Sequence, residues 1–245
     1  MKQSLFLPIT LLVSFTLNAQ TWEAGLSLGG AVYSGDIGVN LSNALPQTRP
    51  AIGLFGDYHL NANWGLRTQL TFASLYADEK KYPNQSFSAQ RAFSFQSPIT
   101  ELSFTPELTL LRKGNLYWYA FAGVAATYFN PTTNYNESAN ADIFFTPTQL
   151  TADKLSQKAH VTLAVPVGTG VKYILHPNWV LGVELGVRKT FTDQLDGVSQ
   201  TASPNRKDYY LFGTISVSML FPTKKSQSKS PLTQFQYQGL DCPRF

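Results

Sequence analysis

The chain has 245 residues, of which 43% are hydrophobic and 13% aromatic, while only 14% are charged. Soluble domains usually carry about 25% charge; disordered chains need few aromatics and a high net charge, so composition argues against both, and against a coiled coil. The formal charge of +4 comes without any basic helix, which leaves no case for nucleic-acid binding.

The N-terminus reads as an export signal. Lys2 is followed by an apolar run from Leu5 to Leu17, broken by Pro8, and then by the small-residue site Leu17-Asn18-Ala19. This predicts a secretory signal peptide over residues 1–19, cut after Ala19. The run is shorter than the roughly 18 apolar residues of a membrane helix and leads into a polar, Gly-rich pattern. No Cys follows it, which argues against a lipoprotein. Removing Lys2 leaves +3 on the mature chain. Cys242 is the single cysteine, so no intrachain disulfide can form.

Beyond residue 20 the pattern has period two, repeated eight times, with no helical period between the repeats. The runs are Trp22–Tyr33, Ala51–Leu60, Trp64–Tyr76, Phe93–Leu110, Leu116–Tyr128, Val161–Leu175, Trp179–Phe191 and Tyr209–Phe221. Strict alternation marks a half-buried strand. In the fourth run Phe93 and Phe95 have the parity opposite to Leu102, Phe104 and Leu108, and Pro98 lies between them. That predicts a bulge near Pro98.

The connections alternate between short and long. Asn61-Ala62-Asn63, Arg112 to Asn115 and His176 to Asn178 are tight turns. The segments 34–50, 77–92, 129–160 and 192–208 are long loops. Short turns at one end and long loops at the other describe an outer-membrane barrel. Trp22, Trp64, Trp118 and Trp179 all begin strands beside the short turns. Tyr33, Tyr76, Tyr128 and Phe191 end the same strands, 10 to 12 residues later. At a tilt near 45° that separation is on the order of 25 Å, the height of an outer-membrane apolar band between two aromatic girdles. The fold class expected is therefore all-β: an eight-stranded antiparallel transmembrane β-barrel of outer-membrane type. It spans 20–221 and is followed by a C-terminal periplasmic tail, 222–245.

Charge tells which face points where. Glu23, Asp57, Arg67, Glu101, Glu107, Lys172, Glu184 and Arg188 all lie on the face opposite the apolar residues. A midplane Arg facing lipid costs roughly 2–4 kcal/mol, so these groups are expected inside, paired with one another. Eight strands enclose a lumen that side chains fill, which predicts a charge network rather than a pore.

The tail carries Lys224, Lys225, Lys229 and Arg244 against Asp241, a net +3, and has no core of its own. With an even strand number both termini lie on the periplasmic side. Cys242 sits in this tail, and in an oxidising compartment an odd cysteine suggests an intermolecular disulfide or a free thiol. Lys224, Lys225, Cys242 and Arg244 are thus candidate partner contacts.

Catalytic and cofactor motifs are missing. There is no nucleophile elbow, no HExxH, no CxxC and no phosphate-cradling loop. His160 and Thr162 share a face, the kind of pair some barrel lipases use, but one such pair arises easily by chance. Asp193 and Asp196 could hold a cation, although an ordinary polar loop explains them as well. The expectation is no enzyme, no cofactor and no metal.

Three segments resemble the PorG family of Bacteroidetes-type outer-membrane proteins. They are Gly29-Gly30-Ala31-Val32-Tyr33-Ser34-Gly35-Asp36-Ile37; Arg49-Pro50-Ala51-Ile52-Gly53-Leu54; and Val165 to Tyr173, continued through Asn178-Trp179 and Glu184 to Asp193. The resemblance implies a part in type IX secretion, and in gliding motility in some species. PorG-like proteins are thought to tie a periplasmic ring of the lipoprotein PorK and its partner PorN to the outer membrane. The family brings no catalytic residues. The implied role is an anchor; the alternative is a stand-alone adhesin or envelope-stabilising barrel acting through its long outer loops.

Overall fold

The structure is a computed structural model, and it describes residues 21–35, 45–79, 93–134, 146–176, 178–198 and 208–222. The signal segment 1–19 lies outside the described residues. So does nearly all of the tail, including Lys224, Lys225, Cys242 and Arg244.

Among the described residues, ten strands follow the alternating runs. They are β1 (Thr21–Ser34), β2 (Arg49–His59), β3 (Trp64–Asp78), β4 (Ser94–Lys113), β5 (Leu116–Ala122), β6 (Val124–Phe129), β7 (Thr132–Asn134), β8 (His160–His176), β9 (Trp179–Thr190) and β10 (Tyr209–Pro222). Every pairing is antiparallel. β1 pairs with β2 on one side and with β10 on the other, which closes the sheet on itself. β5 and β6 are two halves of one barrel strand: both pair with β4 and with β8, and the register carries across the junction between them. Between them the Gly123 N–H still donates to the Pro166 carbonyl at 3.0 Å. The ring therefore has eight strands and no free edge, which removes the aggregation hazard of an open sheet.

The barrel is apolar outside and polar inside. Leu28, Leu185 and Ile215 are 55%, 64% and 63% exposed, whereas Glu23, Asp57 and Glu101 are 2%, 1% and 0% exposed. The four tryptophans ring the outer surface at the tight-turn end, all of them exposed. Tyr128, Phe191 and Tyr209 stand exposed near the other end, while Tyr33 turns inward and is buried. Thr21 pairs with Pro222, so both ends of the described barrel meet at the tight-turn end.

Two expectations need correction. No bulge forms at Pro98: from Ser94 to Glu107 β4 alternates without a break, with Phe95, Ser97, Ile99 and Glu101 all inward, and Pro98 pairs opposite Ser74. The irregularity falls between Thr109 and Leu111, opposite β5. Phe93 and Phe95 broke the outward parity because the lumen is apolar at that height.

The chain also contains a helix, α1 (Pro147–Ser156), in the third long loop. Its signal was local. The Thr146 side chain accepts from the Gln149 N–H at 3.3 Å, Gln149 Oε1 accepts from the Thr146 N–H at 2.9 Å, and Pro147 opens the helix. That is a capping box with proline at its favoured position. Ten residues were too few to disturb a pattern read over longer windows.

Candidate functional site

Strand register brings the inward charges to one level. Glu23 lies opposite Asp57, and Asp57 opposite Arg67. Because alternate residues face inward, all three point into the lumen. Arg67 grips Asp57 with two parallel bonds, Nε to Oδ1 at 2.8 Å and Nη2 to Oδ2 at 3.0 Å. Its Nη1 donates to Glu184 Oε2 at 2.6 Å, and its Nε lies 3.0 Å from Glu107 Oε1. The guanidinium covers the Phe55 ring at 4.4 Å. A planar fork that satisfies several carboxylates and stacks on a ring suits arginine and not lysine.

Lys172 is the second hub. Its Nζ donates to Asp57 Oδ2 at 2.7 Å, Glu107 Oε2 at 3.0 Å and Glu23 Oε2 at 3.3 Å, which uses all three ammonium hydrogens. Glu23 Oε1 accepts from Ser218 Oγ at 2.6 Å, and Glu23 Oε2 lies 2.9 Å from His59 Nε2. Tyr119 Oη donates to Glu184 Oε2 at 2.9 Å. Glycines make room for the lumen rings. A Cβ on Gly170 would sit 2.5 Å from Tyr119 Oη, and one on Gly186 would sit 2.9 Å from Phe121 Cζ.

A step further from the turns, Arg188 Nε lies 3.5 Å from Glu101 Oε1, and its guanidinium covers Phe212 at 4.5 Å. Tyr210 Oη donates to Glu101 Oε2 at 2.5 Å. Above this level the lumen turns apolar. Phe93, Phe95, Phe129, Leu75, Ile99, Phe212, Leu195 and Val198 form one buried cluster. Tyr33 Oη lies 2.7 Å from Asp196 Oδ2 and 2.6 Å from Asp208 Oδ1. The Leu195 and Val198 N–H groups donate to Asp208 and Asp196. Asp196 thus ties the fourth long loop to the barrel.

Where the structure places the sequence-derived candidates is plain. It gathers Glu23, Asp57, Arg67, Glu107, Lys172 and Glu184 into one cluster, with Glu101 and Arg188 above it. The tail candidates lie outside the described residues. Thr162 Oγ1 donates to the Leu163 carbonyl. His59 was legible only as an inward residue on β2; its contact with Glu23 depends on the β1–β2 register, which alternation does not reveal.

The charged cluster opens to water at the tight-turn end through a cavity of about 80 Å³, lined in part by Glu23, His59, Trp64, Glu107, Tyr119 and Lys172. Above it the lumen is blocked by the Arg188–Glu101 pair and the aromatic cluster. Among the described residues the arrangement offers a pocket at one end and a plug at the other.

Residues 2–225 match the family described as "Domain of unknown function (DUF6089)". The chain belongs to this family. No curated protein matches the sequence. Among solved structures, this DUF6089 member is similar to Neisserial surface protein A, at 11% identity and a TM-score of 0.45, covering 82% of this chain and 97% of that one. It is similar to Ail, the attachment invasion locus protein of Yersinia pestis, at 12% identity and a TM-score of 0.41, covering 83% and 98%. It is also similar to a major outer membrane protein from Thermus thermophilus, at 14% identity and a TM-score of 0.46, covering 83% and 100%.

Proposed function

We propose that this DUF6089 member is an integral outer-membrane barrel that serves as an anchor and conducts nothing through its lumen. The filled lumen carries the reading: a barrel packed with ion pairs below and aromatic rings above cannot pass solute or polypeptide. An outer face covered with leucine, valine and isoleucine, edged by exposed aromatics, is far larger than the apolar patches of soluble monomers, and lipid is the solvent it fits. Short turns face the periplasm in such barrels. That orientation sets the ends at Thr21 and Pro222 on the periplasmic side and offers 223–245 to a periplasmic partner. The resemblance to the PorG family supplies the partner class: a PorK/PorN-like lipoprotein ring of type IX secretion, docked through the basic tail with Lys224, Lys225 and Arg244, with Cys242 available for an intermolecular disulfide.

A second reading has its own support. Among the described residues, α1 in the third loop is capped by Thr146 and Asp196 of the fourth loop is held by Tyr33. Ordered segments on the outer side suit an adhesin. One experiment separates the two. The full-length protein and a version ending at Phe221 are purified from gently solubilised envelopes, with and without reductant, and co-purifying proteins are identified. Periplasmic lipoproteins that accompany only the full-length chain support the anchor. If both versions come alone and export of cargo is normal without the gene, the anchor reading is wrong and the loops carry the function.

A further inference from the structure

Below the apolar cluster, the charge network of the lumen is not electrically balanced. Five carboxylates (Glu23, Asp57, Glu101, Glu107, Glu184) face three cations (Arg67, Lys172, Arg188), and all eight are buried. That leaves an excess of two negative charges in a space where uncompensated charge is costly. Arg112 also lines the cavity, but at its rim, half-buried and stacked on Tyr117 at 4.8 Å. A protonated His59 would cancel only one of the two charges.

We infer that the mouth of the lumen at the tight-turn end binds one divalent transition-metal cation, of which zinc is the best fit, through His59, Glu23 and Asp57. The inference does not depend on the anchor reading. Each of these residues offers one ligand atom, and the three atoms lie within 4.8 Å of one another. An imidazole nitrogen with carboxylate oxygens is a zinc-type donor set, with bonds of about 2.0–2.2 Å. One divalent ion cancels the excess of two. The cavity leads from bulk water to Glu23 and His59, so the ion has a path.

Lys172 now occupies the ground between the carboxylates, 2.7 Å from Asp57 and 3.3 Å from Glu23. It marks the place where positive charge is held, and it is the group an incoming metal displaces. Glu107 gives it somewhere to go. Glu107 lines the same cavity and is 6% exposed, and its Oε1 accepts no hydrogen bond. Arg67 Nε is 3.0 Å from that oxygen, but its single hydrogen goes to Asp57. The lysine stem is flexible, so Lys172 can move fully onto Glu107 and leave Glu23 and Asp57 to the metal. Binding is thus an exchange of one cation for another, and lysine competes with the ion.

The test uses the mature full-length chain without a polyhistidine tag, folded in detergent, stripped of metal and titrated with zinc chloride. Folding of each variant is checked by its heat-modifiable gel mobility. One equivalent of zinc should bind, with one nitrogen and otherwise oxygen ligands in the zinc X-ray absorption spectrum. His59→Ala should weaken binding by about tenfold or more, since even the loss of a group behind a ligand costs about 10–100-fold. Lys172→Gln removes the competitor and should tighten it, whereas His160→Ala should change nothing. If Lys172→Gln does not fold, the His59 and His160 variants and the absorption spectrum still decide. No saturable binding to the unmodified chain, binding unchanged in His59→Ala, or binding lost in His160→Ala would each overturn the proposal.

Discussion

Near the tight turns the lumen is held by charge: Arg67 and Lys172 between them contact Glu23, Asp57, Glu107 and Glu184. Near the long loops it is held by Phe93, Phe95, Phe129, Leu75 and Phe212, and ions stand only at the margins of this cluster: the Arg188 guanidinium over Phe212 and the Glu79 carboxylate accepting from the Phe93 N–H. Both halves belong to the same strands and obey the same alternation. The difference lies in what each must do. The lower half is open to water through the cavity mouth, and charged groups there pay less for burial. The upper half must fit the long loops onto the barrel, and apolar packing binds loop residues such as Leu195 and Val198 without a fixed partner geometry. A charge network demands specific partners, while an apolar cluster tolerates volume-conserving change.

The largest expected effect comes from Arg67→Ala. It takes two donors from Asp57 and one from Glu184, leaving them only Lys172 and Tyr119, and breaking a buried pair by removing one partner costs about 3–5 kcal/mol. Urea unfolding in lipid vesicles should show a loss toward the upper end of that range. Phe95→Ala opens a cavity in the upper cluster, and its cost on the same measurement should be about 3–4 kcal/mol. The contrast between the halves sharpens with conservative variants: Phe95→Leu should recover most of the loss, and Arg67→Lys should recover little. Full rescue by lysine would mean that the lower lumen needs only positive charge and no fixed partner geometry.

Smaller effects test how the loops are tied on. Tyr33→Phe removes the hydroxyl that lies between Asp196 and Asp208, a buried hydrogen bond to a charged group worth about 1.5–3 kcal/mol. Limited proteolysis should then cut within 192–208 faster while the barrel stays resistant. Thr146→Ala removes the helix cap, worth about 0.5–1 kcal/mol. Its trace should be confined to faster amide exchange in α1, with barrel stability unchanged.

How much of this was legible follows the same division. Period two placed Glu23, Asp57, Arg67, Glu107, Lys172, Glu184 and Arg188 on one face, and lipid physics fixed that face as the inside. The aromatic plug was visible only as an anomaly: Phe93 and Phe95 stood on the polar face, and a bulge at Pro98 was the local explanation for them. Their true reason is the apolar upper lumen, which exists because residues from β1, β3, β4, β6, β10 and the fourth loop meet there. The link from Tyr33 to Asp196 spans 163 positions, and no local pattern encodes it. α1 was readable from its capping box but was hidden by the surrounding strand pattern.

The strand count, the alternation of short and long connections, the face that meets lipid and the residues that share the lumen can all be read along the chain. Those are local properties, set by side-chain period, turn chemistry and the cost of charge in hydrocarbon. Which carboxylate pairs with which cation, the meeting of His59 with Glu23, and the height at which charge gives way to packing emerge only in the closed barrel. These depend on register around a closed ring, where a shift of one residue between two strands would exchange every inward neighbour for an outward one.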